Sequence, residues 1–185
     1  MKRKEITKGE VILAGAGGGG VKSAGEALAS AASLRYRYVT CVPFYSIAKR
    51  GGLSESTIIF SDGEIASPLL SQAQAVVLLD SSVLKSMEDR VIPGGLLLLE
   101  RDSLKETVQR KDIRVIIVPA VETAFKLGFS LGASFVLIGA YVAASKALEP
   151  ELIEREIERR FAGKEKVIPL NKEAFRQGMK LIANT

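Results

Sequence analysis

The sequence predicts an α/β fold, three-layered and Rossmann-like, with a mostly parallel sheet and one antiparallel hairpin strand. Three observations carry this expectation. Short apolar runs alternate with helix-like stretches along the chain, the order expected of a sheet with helices packed on it. Some of those runs, AVVLL at 75–79 and LLLL at 96–99, are apolar at every position, as strands buried on both faces of a parallel sheet are. A glycine loop, GAGGGG at 15–20, follows the apolar run VILA and leads into a helical pattern. A chain of 185 residues is long enough for a substantial core and is read as a single domain, 1–185.

The elements follow in order. Residues 11–14 form the first strand, and residues 21–34 a helix with Ala24, Ala27, Leu28, Ala31 and Ala32 on its packed face. A second strand at 39–42 stops at Pro43, and a third covers 56–60. The third runs into Asp62-Gly63, a tight-turn signal that would place the antiparallel hairpin there. Strands at 75–79 and 96–99 come next, the latter preceded by a Pro93-Gly94-Gly95 turn. A strand at 114–118 ends at Pro119 and leads to one long small-residue helix reaching about Leu148. Pro150 opens a helix to Phe161, stopped by Gly163, whose i,i+4 charges (Glu151–Arg155, Glu156–Arg160) read as a solvated face. A short helix at 172–183 closes the chain.

Composition excludes several chemistries. With no histidine there is no Ser-His-Asp triad and no imidazole metal ligand. The single cysteine, Cys41, cannot build an internal disulfide, a cysteine-rich zinc site or an iron–sulfur cluster. It reads as a small buried residue in a reducing, cytoplasmic setting. The basic start MKRKEITKGE lacks the apolar segment of a signal peptide. Residues 129–144 are too short and too interrupted by Ser130, Ser134 and Tyr141 for a membrane span. Their glycines and alanines instead suggest close packing against the sheet or a partner, and hence self-association. Residues 1–50 carry nine Lys/Arg against three Glu, which suits a small anionic ligand or an acidic partner. Nucleic acid is disfavoured, since no aromatic-basic interleaving accompanies those charges.

The glycine loop matches G-x-G-x-x-G at Gly15, Gly17 and Gly20, at a helix N-terminus whose free N–H groups attract an anion. The dinucleotide reading further needs an acid at the end of the second strand, where Thr40-Cys41-Val42-Pro43 stands. The Walker Lys-Ser ending is absent too. Arg50, followed by Gly51 and Gly52, lies after the second strand and could reach the same carboxyl edge with a fork suited to diphosphate or carboxylate. An anion site and ligand-free close packing both remain open on these residues alone.

The order of motifs resembles the gamma subunit, or equivalent domain, of the 2-oxoacid:ferredoxin oxidoreductases of pyruvate, ketoisovalerate, 2-oxoglutarate and indolepyruvate type. The matching residues are GAGGGGV at 15–21, then Pro43, Tyr45, Arg50, Gly51 and Gly52. SDGEIASP at 61–68, Leu79-Asp80, PGG at 93–95 and Ile138-Gly139-Ala140 follow. Gly19 stands where that family has glutamine, and Phe44, Ser46, Ile47 and Ala48 replace its serine, glycine, proline and glutamate. Ser134 replaces its asparagine. The resemblance implies a non-catalytic subunit without a metal site or a cofactor held by this chain alone. Thiamine diphosphate, magnesium and iron–sulfur clusters would lie on partner alpha, beta and ferredoxin-like subunits. A contact to coenzyme A would run through Gly15, Gly17, Gly18, Gly19, Gly20, Val21, Tyr45, Arg50, Gly51 and Gly52. The other reading is a diverged, non-enzymatic module of the same fold that binds a nucleotide or anion.

Overall fold

The computed structural model describes residues 7–16, 20–45 and 52–183. Six strands form one sheet: β1 Lys8–Ala16, β2 Tyr38–Tyr45, β3 Leu53–Ser61, β4 Ala73–Leu78, β5 Val91–Glu100 and β6 Arg114–Val118, in the order β2-β3-β1-β4-β5-β6. Only β3 runs against the rest, pairing antiparallel with both β1 and β2, while β1, β4, β5 and β6 are parallel neighbours. The predicted antiparallel strand is present, but its reversal lies between β2 and β3. Asp62-Gly63 ends β3 instead: the Asp62 N–H is taken by the Thr7 carbonyl and the Gly63 N–H by the Ser61 hydroxyl. Pro43 does not stop β2, because β2 is an edge strand and such edges tolerate a missing donor.

The period-2 alternation of each buried strand sends its residues to two separate cores. Val11, Leu13, Ala75, Val77, Leu96 and Leu98 face a helical layer of α1 Val21–Ala32, α4 Ala133–Ser145, α5 Pro150–Arg160 and α6 Ile168–Ala183. Ile12, Ala14, Val76, Leu78, Leu97 and Leu99 face the other way. There the cover is thin: the helical turn α2 Leu84–Met87 and side chains such as Leu104, Val108 and Ile113 from an irregular segment. Pro93-Gly94-Gly95 is not a turn before β5 but part of it, at the register shift between Ala73 and Ala75. Gly94 sits at φ +75°, which a side chain would resist.

The single long helix expected after Pro119 is two helices. Here α3 Ala120–Lys126 ends at Gly128 (φ +67°), and α4 begins after a 3₁₀ turn at Ser130–Gly132. Gly139, at the centre of the α4 stripe, is consumed inside the chain. A Cβ on Gly139 would lie 2.0 Å from the Phe175 carbonyl oxygen, and one on Gly178 would lie 1.9 Å from that of Val136. At Gly139 the close packing that the stripe allows is met by α6 of the same chain. Among the described residues no helix is long and apolar enough to cross a membrane.

The charges of α5 are likewise structural and not simply solvated. Glu156 is buried, accepting from Ser30 Oγ (2.9 Å) and from Arg159 (2.7 and 2.8 Å). Arg160 reaches Glu26 and Ser23 of α1, and Glu154 holds Arg176 of α6. Cys41 is half-buried against the helical layer, where burial, and then the Glu26 carboxylate, push its thiol pKa up.

At the start of α3, Glu122 pairs with Lys126 and with Arg101 (2.5 Å). Lys126 first, then Arg101, hold its carboxyl at about 2, against an ordinary 4.5. A depressed native pKa stabilises the fold above the unfolded value, and that contribution disappears as pH falls from about 4.5 to about 2. Glu122→Gln should accordingly melt below wild type at neutral pH and match it near pH 2. The gap should be small, because the pair is solvent-exposed. Melting curves across that acid range check it, and a gap that does not close on acidification contradicts the assignment.

Candidate functional site at the carboxyl edge

The five co-directional strands end at one edge of the sheet, where the glycine loop leaves β1. Two of its glycines have identifiable physical causes. At Gly15 a Cβ would sit 3.1 Å from the Asp80 backbone nitrogen and 3.4 Å from Val21 Cγ2. This position is bare because the end of β4 and the start of α1 close on it. Gly20 caps α1 in the left-handed region (φ 83°), a conformation that excludes most side chains, and its carbonyl accepts the Ala24 N–H at 2.9 Å. Among the described residues no side chain caps α1, and no acid lies in its first turn, so its N-terminal amides present a positive partial charge at this edge.

Val21 is in the core, so it can offer this edge only its backbone. Gly17, Gly18, Gly19, Arg50 and Gly51 lie outside the described residues, as does the Tyr45 side chain; the Tyr45 backbone ends β2 opposite Ser54. The register nonetheless places the two loops. Ala16 pairs with Leu53, and Gly52 directly precedes Leu53. The chain after Arg50 thus re-enters the sheet one strand spacing, about 5 Å, from where the glycine loop departs. Juxtaposition comes through β3, which lies between β1 and β2, and not through direct adjacency of the first two strands.

Three further side chains border this edge. A Cβ at Gly20 would be 3.9 Å from both Cβ and Oγ of Ser134, which brings the first turn of α4 alongside the α1 cap. The sequence marked Ser134 as an interruption of an apolar run and a departure from a family pattern, not as a neighbour of the glycine loop. Asp80 at the end of β4 accepts from Ser82 N–H through Oδ1 (2.9 Å). Buried Glu100 takes Ser103 N–H and Oγ–H on Oε2 (2.7 and 2.8 Å), while the Ser81 hydroxyl donates to its carbonyl (2.7 Å). These carboxylates are engaged in holding the strand ends. Among the described basic residues of the first 50, Lys8, Lys22 and Arg35 are ion-paired, and Arg37 stacks over Tyr38 at 5.4 Å.

Comparison with known proteins agrees with this architecture. Residues 10–181 match the pyruvate ferredoxin/flavodoxin oxidoreductase family. The ketoisovalerate oxidoreductase subunit VorA of Methanothermobacter thermautotrophicus is 34% identical over 90% of this chain, which spans about a third (35%) of that relative's length. The 2-oxoglutarate synthase subunit KorC of Methanothermobacter marburgensis is 31% identical over 94% of this chain and 96% of its own. The gamma subunit of the keto/oxoacid ferredoxin oxidoreductase from Geobacter sulfurreducens superposes with a TM-score of 0.82 at 26% identity, covering 95% of this chain and 99% of that one. With the family match running over residues 10–181 and a relative 31% identical along nearly its whole length, this chain belongs to the pyruvate ferredoxin/flavodoxin oxidoreductase family.

Proposed function

We propose that this chain is the gamma-type component of a thiamine-diphosphate and iron–sulfur 2-oxoacid:ferredoxin oxidoreductase, which converts a 2-oxoacid and coenzyme A to acyl-CoA, carbon dioxide and reduced ferredoxin. Support comes from relatives named as oxidoreductase subunits along nearly the whole chain. Alpha, beta and ferredoxin-like partners would carry the redox chemistry, because a chain with one cysteine and no histidine cannot ligate a four-cysteine cluster. Its own contribution would be a cradle for the coenzyme's diphosphate at the carboxyl edge. The observation that carries the cradle is the N-terminus of α1, opened by the left-handed Gly20 with no side-chain cap among the described residues, and the re-entry of the chain into the sheet at Leu53 beside Ala16. Amides of residues 17–21 would meet the phosphates and Arg50 would close the site with its fork.

Titration of coenzyme A against the assembled complex tests this. Arg50→Ala should weaken binding by about tenfold, the loss of one charge-assisted contact. Melting curves of both proteins provide the folding control. Unchanged affinity would remove Arg50 and the cradle from the proposal. Failure to co-purify with thiamine- and cluster-bearing subunits would remove the complex.

A further inference from the structure

The amino edge of the sheet, opposite the glycine loop, carries a cavity of about 920 Å³. Its volume lies in the range of small-molecule sites, which are apolar with a few placed polar groups. One wall is apolar, formed by Val142 and Ala143 of α4 and by Met179 and Ile182 of α6. Arg35, Arg114 and Lys146 are its cations, and Glu149 is its only acid.

The charges do not cancel. Arg35 is held between Asp62 and Glu149, each at 3.7 Å. Lys146 stands at the carboxyl end of α4, where the helix dipole favours a cation. Arg114, exposed at the first residue of β6, has no counter-charge among the described residues. It also lines a second cavity of about 230 Å³, with Tyr141 and Ser145, and that cavity shares Ala144, Ser145 and Ala147 with the first. A surplus guanidinium thus stands where two compartments meet, beside an apolar wall.

From this juxtaposition we infer that the amino-edge cavity binds an amphipathic monocarboxylate. The carboxylate pairs with Arg114, Lys146 assists, and the hydrocarbon body lies along the α4–α6 wall. A planar fork suits a carboxylate bidentately, and the apolar wall contributes only to a ligand with a hydrocarbon body. This site is separate from the coenzyme cradle, so either can fail without the other.

Calorimetric titration of the full chain with octanoate, octanol and octylammonium tests the inference. Octanoate should bind at least about tenfold more tightly than either of the other two, which have the same chain without the negative charge. Arg114→Ala should weaken octanoate about tenfold, while Lys146→Gly, placed where φ is +55° and glycine is at ease, should weaken it less and leave the fold intact. Ala143→Phe should block binding by occupying the apolar wall. Equal affinity for octanoate and octanol, absence of octanoate binding, or unchanged affinity in Arg114→Ala with an unaltered melting curve overturns the inference.

Discussion

Gly139→Ala should destabilise the chain by about 3 kcal/mol or more, at the upper end of overpacking costs. One added methyl would have to occupy space 2.0 Å from a backbone oxygen of α6 and 3.0 Å from its carbonyl carbon, and backbone cannot rotate away as a side chain can. Gly178→Ala should behave alike, since its Cβ would lie 1.9 Å from the Val136 carbonyl oxygen and 2.7 Å from its carbon. For a chain of this length each substitution should lower the melting temperature by about 5–10 °C. Both methyls force apart the same two helices, so the double variant should lose less than the sum of the two. Thermal melts of the three variants decide it. A shift within error for either single variant would mean that α4 and α6 are not in this contact.

Arg90→Leu is expected to be nearly as damaging. Glu55 lies inside the sheet on β3, and its carboxylate is met by Arg90 through two 3.2 Å contacts and by the Thr57 hydroxyl at 3.2 Å. The same guanidinium binds the carbonyls of Leu70 (2.6 Å) and Ser71, tying the segment before β4 to the sheet. Removing the arginine leaves a buried carboxylate with no counter-charge and only the Thr57 hydroxyl as partner among the described residues, which costs about 3–5 kcal/mol, toward the lower figure because the Arg90 side chain is 25% exposed. Pairing Arg90→Leu with Glu55→Leu should recover much of the loss, since two apolar groups of similar shape do not need each other's charge. Chemical denaturation of the single and double variants measures the recovery. A double variant as unstable as Arg90→Leu would show that the loop carbonyls, and not the ion pair, account for the effect.

How much was legible in the amino-acid order varies with the range of the interaction involved. Apolar runs at 75–79 and 96–99 announce buried strands because both faces of a parallel strand must be apolar. The strand at 114–118 ends where Pro119 says it must, and the last glycine of GAGGGG, Gly20, opens α1 through the left-handed conformation that glycine allows. These are short-range constraints, written into neighbouring residues. The motif order along the chain carried the family as well, since each motif sits on one loop or strand end.

Contacts between segments distant in sequence belonged to the tertiary structure. Nothing local separates an Asp-Gly dipeptide that makes a hairpin from one that ends a strand; pairing of β3 with both β1 and β2 decides it. Gly139 reads as part of a stripe open to any partner until α6, with Gly178, is seen against α4. The charges of α5 look solvated until Ser30, Glu26 and Arg176, each more than 20 residues away, close on them. The approach of Ser134 to Gly20 spans more than 100 residues and has no trace in spacing or composition. Periodicity and turn chemistry act over a few residues, whereas the neighbour that makes a glycine obligatory or a charge buried is chosen only when the layers pack.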